Sequence, residues 1–300
     1  MIDFKKMNSP WGEIEKKNWY ESQEIQRSYQ EVTSKIEGLG PIVDIEVYGN
    51  LSINPSKYPL YFLKSKNINP QKPNILITGG VHGYETSGVH GAIKFVKDEL
   101  SNYSDDFNFY IAPCISPWGY ETINRWNHLA IDPNRSFYDK SPAEECELLI
   151  KHLNKYKIEI LAHFDLHETT DTDNSIFRPA LESRDGKKQD LWDIPDGFYL
   201  VGDTENECFD FQKSIIESVR KVTHIAPNDS NGFIIGEKIT QEGVINYPLK
   251  SLSLCAGLTT ARFTTTTEVY PDSPKVTPDE CSLAQVYAVI GGLQYLKSLK

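Results

Sequence analysis

Residues 74 to 85 read Asn74-Ile75-Leu76-Ile77-Thr78-Gly79-Gly80-Val81-His82-Gly83-Tyr84-Glu85. The near-continuous apolar run from Asn74 to Thr78 stops at two glycines, the pattern of a strand buried on both faces. A helix is predicted to follow from about Thr86 to Leu100. His82 and Glu85 therefore fall just past the carboxyl end of a buried strand, where open α/β sheets place their ligands. Three residues apart in a turn that enters a helix, an imidazole and a carboxylate can meet one ion, and zinc accepts both nitrogen and oxygen donors.

Upstream, residues 13 to 37 read as a polar helix, and Ile42 to Val47 and Tyr58 to Leu63 as two short antiparallel strands across a turn-rich segment. Downstream, strands are predicted at Phe107 to Ile115, Ile158 to Leu166, Phe198 to Val201 and Arg262 to Tyr270. Helices are predicted from the Ser141-Pro142-Ala143-Glu144 cap to about Tyr156 and over Asn206 to Val222. Thr277-Pro278-Asp279-Glu280 has the capping-box spacing that opens a last helix. Alternation of strands and helices along most of the chain predicts a mixed, largely parallel α/β sheet of about eight strands with helices on both faces. A single catalytic domain over 1–300 is expected, with residues 1–40 as a helical extension packed on it.

The length of 300 residues, with 39% hydrophobic and 24% charged, is enough for one large core. Thirty-one basic against 42 acidic residues give a net charge of -11, which argues against nucleic acid as a partner. No apolar stretch has signal-peptide or membrane-span character, so the sequence predicts a soluble, cytoplasmic protein without a membrane partner. No pattern specifies an oligomeric state. Five scattered cysteines without a CxxC pair point to neither a disulfide framework nor a thiolate zinc site.

A third ligand is expected from Phe164-Asp165-Leu166-His167, which also ends a buried strand. Two histidines with one glutamate are a catalytic zinc set that leaves a position open for water. His90, His152, His163 and His224 fall in expected helices and strands or directly after one, and His128 is the one competing donor. Asp165, two before His167, shares that histidine's face and either orients it or caps a turn.

The motifs His82-Gly-Tyr-Glu85, the segment from Ser116 to Phe137, Asp165-Leu-His167 and the threonine run ending at Glu268 occur in the order found in zinc carboxypeptidases of the pancreatic and bacterial type. The chain resembles that family over roughly residues 75 to 270. The resemblance implies one zinc per chain on His82, Glu85 and His167, with Asp132 orienting His82. It also implies Arg125 at the oxyanion, Asn134 and Arg135 on the substrate's terminal carboxylate, Glu268 as general base and Tyr247 over the bound substrate. The residue chemistry agrees: arginine offers a planar, permanently charged fork to a carboxylate, and a carboxylate near the metal can take a proton from water and return it to a leaving amine. The context of Tyr247 lacks the family's Gly-Ser-rich character, and a packed strand tyrosine is the alternative there.

The expected activity is removal of the carboxy-terminal residue of a small peptide. His82 and His167 are 85 positions apart, a spacing closer to small bacterial members and to the aspartoacylase and succinylglutamate desuccinylase branch. The alternative substrate is thus an N-acyl amino acid, again with a free carboxylate, and a zinc-binding module without turnover is the non-enzymatic alternative. The acidic run from Glu168 to Asp173 predicts a preference for a substrate with a free amino group.

Overall fold

The computed structural model describes residues 9–299. Helices α1 (Glu13–Glu21) and α2 (Tyr29–Glu37) lead into strands β1 (Val43–Asn50), β2 (Pro59–Ser65) and β3 (Asn74–Gly79), then α3 (Thr86–Asp98) and the short α4 (Leu100–Tyr103). Strand β4 (Asn108–Ala112), α5 (Pro117–Thr122), α6 (Glu144–Tyr156), β5 (Ile160–Glu168), α7 (Arg178–Asp185), β6 (Tyr199–Asp203) and α8 (Phe209–Val219) follow. A small hairpin of β7 (Phe233–Ile234) and β8 (Glu237–Lys238) precedes β9 (Val244–Tyr247), β10 (Phe263–Val269) and α9 (Pro278–Ser298).

The eight-stranded sheet has the order β1-β2-β4-β3-β5-β10-β6-β9. Its centre, β4-β3-β5-β10, is parallel, and antiparallel pairs join it to β2 and β6 on either side. Consecutive side chains of a strand point to opposite faces. On β4, Phe109 meets Phe95 of α3 while Tyr110 meets Tyr156 of α6, so helices cover both faces as the alternation predicts. Helices α3, α8 and α9 form one layer, drawn close where Gly292 lies against Phe164 and Phe211. Among the described residues no helix is long and apolar enough to cross a membrane.

Three local expectations are corrected. The polar helix expected over 13–37 is two helices. Between them the backbone N–H groups of Gln26 and Arg27 donate to the Glu121 carbonyl, and Ser28 caps α2 by accepting from the Gln30 N–H. The cap expected at Ser141 lies at Ala143, because Glu144 bonds the Ser52 backbone and hydroxyl at 2.8 and 3.0 Å instead of reaching back. The sequence also reads as loop from about Thr169 to Pro195, and that stretch contains a wide helical turn (Asp173–Phe177) running into α7. The capping box of Thr277 and Glu280 forms as its spacing predicts.

Candidate metal centre and its cleft

The parallel strands β3, β5 and β10 end together, and the sequence places chemistry at each end. Gly83 makes the turn after β3 possible. A Cβ there would stand 1.9 Å from the Gly119 carbonyl carbon and 2.2 Å from the Tyr120 nitrogen, so only a bare Cα lets the turn press against α5. Arg27 holds the turn from outside, donating to the Gly83 and Tyr120 carbonyls and, at 2.6 Å, to Thr86 Oγ1. Glu85 stands at the cap position of α3 but caps nothing. The helix N-terminus is taken by Glu168, whose carboxylate accepts the Ser87 N–H at 2.6 Å and the Thr86 N–H at 3.2 Å. Glu85 is thereby free to face the site.

His82, Glu85 and His167 converge, one ligand atom from each lying within 4.8 Å of the others, and all three are at most 2% exposed. Both imidazoles turn Nδ1 toward Glu85: His82 Nδ1 is 2.6 Å from Oε1 and His167 Nδ1 2.9 Å from Oε2. Their far nitrogens are held by carboxylates, His82 Nε2 by Asp132 Oδ1 at 3.1 Å and His167 Nε2 by Asp165 Oδ2 at 2.8 Å. Once the rings lose a proton to a metal, that arrangement selects the tautomer that leaves Nδ1 a lone pair toward the centre. Glu85 Oε2 is buried and forms no hydrogen bond. An oxygen acceptor without a donor, on a carboxylate set between two imidazole rings, fits a divalent cation of zinc's preferences. Burial opposes ionisation of Glu85, yet the neighbouring His167 and His82 draw its pKa down to about 2, so it is an anionic donor.

Asp165, which the sequence left between two roles, orients His167 and is itself held by Thr78 Oγ1 at 2.6 Å. Asp132 bonds three ways: to His82, to the Asn134 N–H at 2.9 Å and to Arg125 Nε at 3.2 Å. Burial works against its charge, but Arg125 and His82 keep its carboxyl well below the usual range. His128 packs edge-on to Trp118 and is not in the ligand cluster.

Glu268 lies directly opposite His167 in the parallel register of β10 and β5. Its Oε2 accepts from Thr169 Oγ1 at 2.8 Å, and Tyr199 OH is 2.7 Å from that hydroxyl. Burial pushes the Glu268 carboxyl up to about 8. The centre opens into a cleft of about 1010 Å³ that Arg125, Asn134, Arg135, Tyr247 and Glu268 all line. Arg125 is pinned by Asp132 and by Asp173 Oδ1 at 3.2 Å, its guanidinium lying 4.3 Å from the Phe177 ring centre. The Asn134 side-chain oxygen accepts the Cys255 N–H at 2.8 Å, which leaves its amide N–H₂ as the free donor. Arg135 is exposed toward the cleft and, among the described residues, bonds only the Asn134 carbonyl, at 2.7 Å. Tyr247 ends the edge strand β9 on the cleft wall; burial and the nearby Glu237 and Glu268 push its phenol up to about 12.

Residues 52–169 match the model of the zinc carboxypeptidases. Over that segment the chain is similar to the family. The matched segment carries His82, Glu85, Arg125, Asp132, Asn134, Arg135 and His167, and it stops before Tyr247 and Glu268. The fold agrees. A candidate metallopeptidase from Shewanella amazonensis superposes with a TM-score of 0.67 at 19% identity, covering 89% of this chain and 91% of that one. A metallo-carboxypeptidase from Burkholderia cenocepacia gives 0.63 at 14% identity, covering 91% and 70%. Bovine thrombin-activatable fibrinolysis inhibitor, solved with a tick carboxypeptidase inhibitor, gives 0.60 at 16%, covering 94% and 100%. Nothing among the curated proteins matches the chain. The chain is accordingly a zinc metallohydrolase of metallopeptidase type.

The acidic run after His167 is not the free negative patch that its composition suggests. Glu168 caps α3, Asp173 binds Arg125, the Tyr84 hydroxyl and the Thr170 N–H, and Asp171 accepts from Tyr270 OH at 2.8 Å. The expectation of an amino-bearing substrate loses its basis. Sequence reasoning also missed Thr78, Thr169, Tyr199 and Arg27, whose roles arise only when strands and the amino-terminal segment come together.

Proposed function

We propose that the chain is a zinc-dependent carboxypeptidase that releases the carboxy-terminal residue of a small peptide. The observation that carries this reading is one cleft lined by His82, Glu85, the buried carboxylate of Glu268 and the guanidinium of Arg135, which has no carboxylate partner among the described residues, with His167 completing the donor set behind it. His82, Glu85 and His167 would hold the metal. Bound zinc supplies Lewis acidity toward a carbonyl and lowers the pKa of water to about 7.

Arg135 and the Asn134 amide hold the terminal carboxylate of the substrate, which fixes the scissile bond relative to Glu268. Glu268 takes a proton from the attacking water at its carboxylate and delivers it to the leaving amine. Thr169 holds that carboxylate in one orientation, backed by Tyr199. Arg125, kept in place by Asp132 and Asp173, directs positive charge at the oxygen on which negative charge develops. Tyr247 closes the cleft wall over the bound residue. A cleft of about 1010 Å³ is roomy for a single N-acyl amino acid and suits a short peptide.

The test compares zinc-loaded with chelated protein on benzoylglycyl dipeptides and on N-acetyl and N-succinyl amino acids. Zinc-dependent release of the terminal residue supports the reading; deacylation without peptide cleavage would replace it with the amidohydrolase alternative.

A further inference from the structure

Four arginines line the cleft that holds Glu268, and they differ in how they are neutralised. Arg184 is paired with Asp185 at 2.7 Å. Arg125 has two carboxylate partners. Among the described residues neither Arg135 nor Arg178 has one. Arg178 opens α7, and its guanidinium lies 3.8 Å from the centre of the Trp192 ring. One of its terminal nitrogens donates to the Asp190 carbonyl at 3.0 Å, while its Nε is buried without a partner. Asp173, the nearby acid, is engaged elsewhere.

The platform under Arg178 is built. Asn174 donates its side-chain amide to the Trp192 carbonyl. The indole lies on the bare backbone of Gly236, at φ +82, where a Cβ would come within 2.1 Å of Trp192 Nε1. Stacked on an indole, a guanidinium keeps its edge free for two-point binding in its own plane. Tyr247 lines the same cleft, its phenol within electrostatic reach of both Arg135 and Arg178. Uncompensated charge at one cleft is unexpected in a chain of net charge -11. A buried N–H without an acceptor is unfavourable until something supplies one. One terminal carboxylate satisfies Arg135 and leaves Arg178 open.

We propose that Arg178 binds a second carboxylate on the substrate, so that the residue released is a dicarboxylic amino acid, glutamate or aspartate. The inference rests on the carboxypeptidase reading for the placement of the first carboxylate on Arg135.

The experiment measures kcat/KM of the zinc-loaded chain on benzoylglycyl dipeptides ending in Glu, Asp, Gln, Lys and Phe, for the wild type, Arg178→Gln and Arg178→Lys. The readout is the Glu-to-Gln ratio, which does not depend on the fraction of folded enzyme. It is expected to be about tenfold or more in the wild type, near unity in Arg178→Gln and intermediate in Arg178→Lys. A wild-type ratio near unity, or a ratio unchanged in Arg178→Gln, overturns the proposal. In parallel, titration calorimetry compares free glutamate with glutamine on the wild type and Arg178→Gln. Tighter glutamate binding that is lost in Arg178→Gln upholds the proposal even if no dipeptide is cleaved, a result that would overturn only the peptidase reading; equal binding of the two amino acids overturns the proposal on its own.

Discussion

Glu268 and His167 occupy facing register positions on adjacent parallel strands, which puts a carboxylate beside the ligand set without any loop to position it. Rigid strands hold such pairs better than loops do. Glu268→Gln keeps the shape and the Thr169 contact but cannot accept a proton. We expect kcat to fall by about 10²–10⁴-fold, with zinc content by atomic absorption equal to that of the wild type. Zinc loss in the variant, or near-normal turnover, would contradict a general-base role.

Two carboxylates grip the imidazoles from behind, and they make a second prediction. Asp132→Asn and Asp165→Asn should each weaken zinc binding by about 10–100-fold, since they loosen ring orientation and lower ligand basicity. Thr78→Val, one bond further from the metal, should have a smaller effect in the same direction. Competition against a chromophoric chelator gives the affinities. An unchanged affinity in Asp165→Asn would show that the strand alone orients His167.

Gly83→Ala tests the turn itself. Its added methyl meets the backbone of Gly119 and Tyr120, neither of which is the flexible end of a side chain. A loss of about 1–3 kcal/mol in metal-free stability is expected from overpacking, together with weaker zinc binding because His82 and Glu85 flank the displaced residue. Urea midpoints and zinc titrations read the two effects, and wild-type zinc affinity would mean that the turn tolerates displacement.

How much of this was legible in the sequence follows from which interactions are local. The strand at 74–79 and the ligand positions after it are written in an apolar run and a glycine pair, which need no tertiary partner to be read. The register of Glu268 on His167 was not readable, because it depends on which strands become neighbours, although the ordered motifs brought both residues to the same sheet edge. Composition misled at Glu168 to Asp173, where each acid is claimed by a helix end, an arginine or a hydroxyl from elsewhere in the chain. Arg178 carried no readable signal either: its interest lies in lacking a partner, which only the folded surroundings reveal. Tyr247, for which the sequence left open a substrate contact and a packed strand position, is a strand residue that lines the cleft.

Glu145 gives a prediction about stability and pH. It is buried in α6, with one oxygen unpaired and the other accepting from Asn127 Nδ2 at 3.3 Å, and burial pushes its carboxyl up to about 7. A group whose folded pKa is raised binds a proton more tightly in the native state, so its contribution favours folding below the unfolded value near 4.5 and is lost as pH rises through about 7. The penalty at pH 8 is at most about 3 kcal/mol for a shift of this size. Glu145→Gln removes the titration while preserving the acceptor for Asn127. Any fixed effect of the new amide is the same at both pH values. Urea midpoints of the two proteins at pH 5 and pH 8 should therefore show Glu145→Gln gaining stability relative to the wild type as pH rises, and a difference independent of pH would mean that Glu145 is ionised at pH 5 in the folded protein.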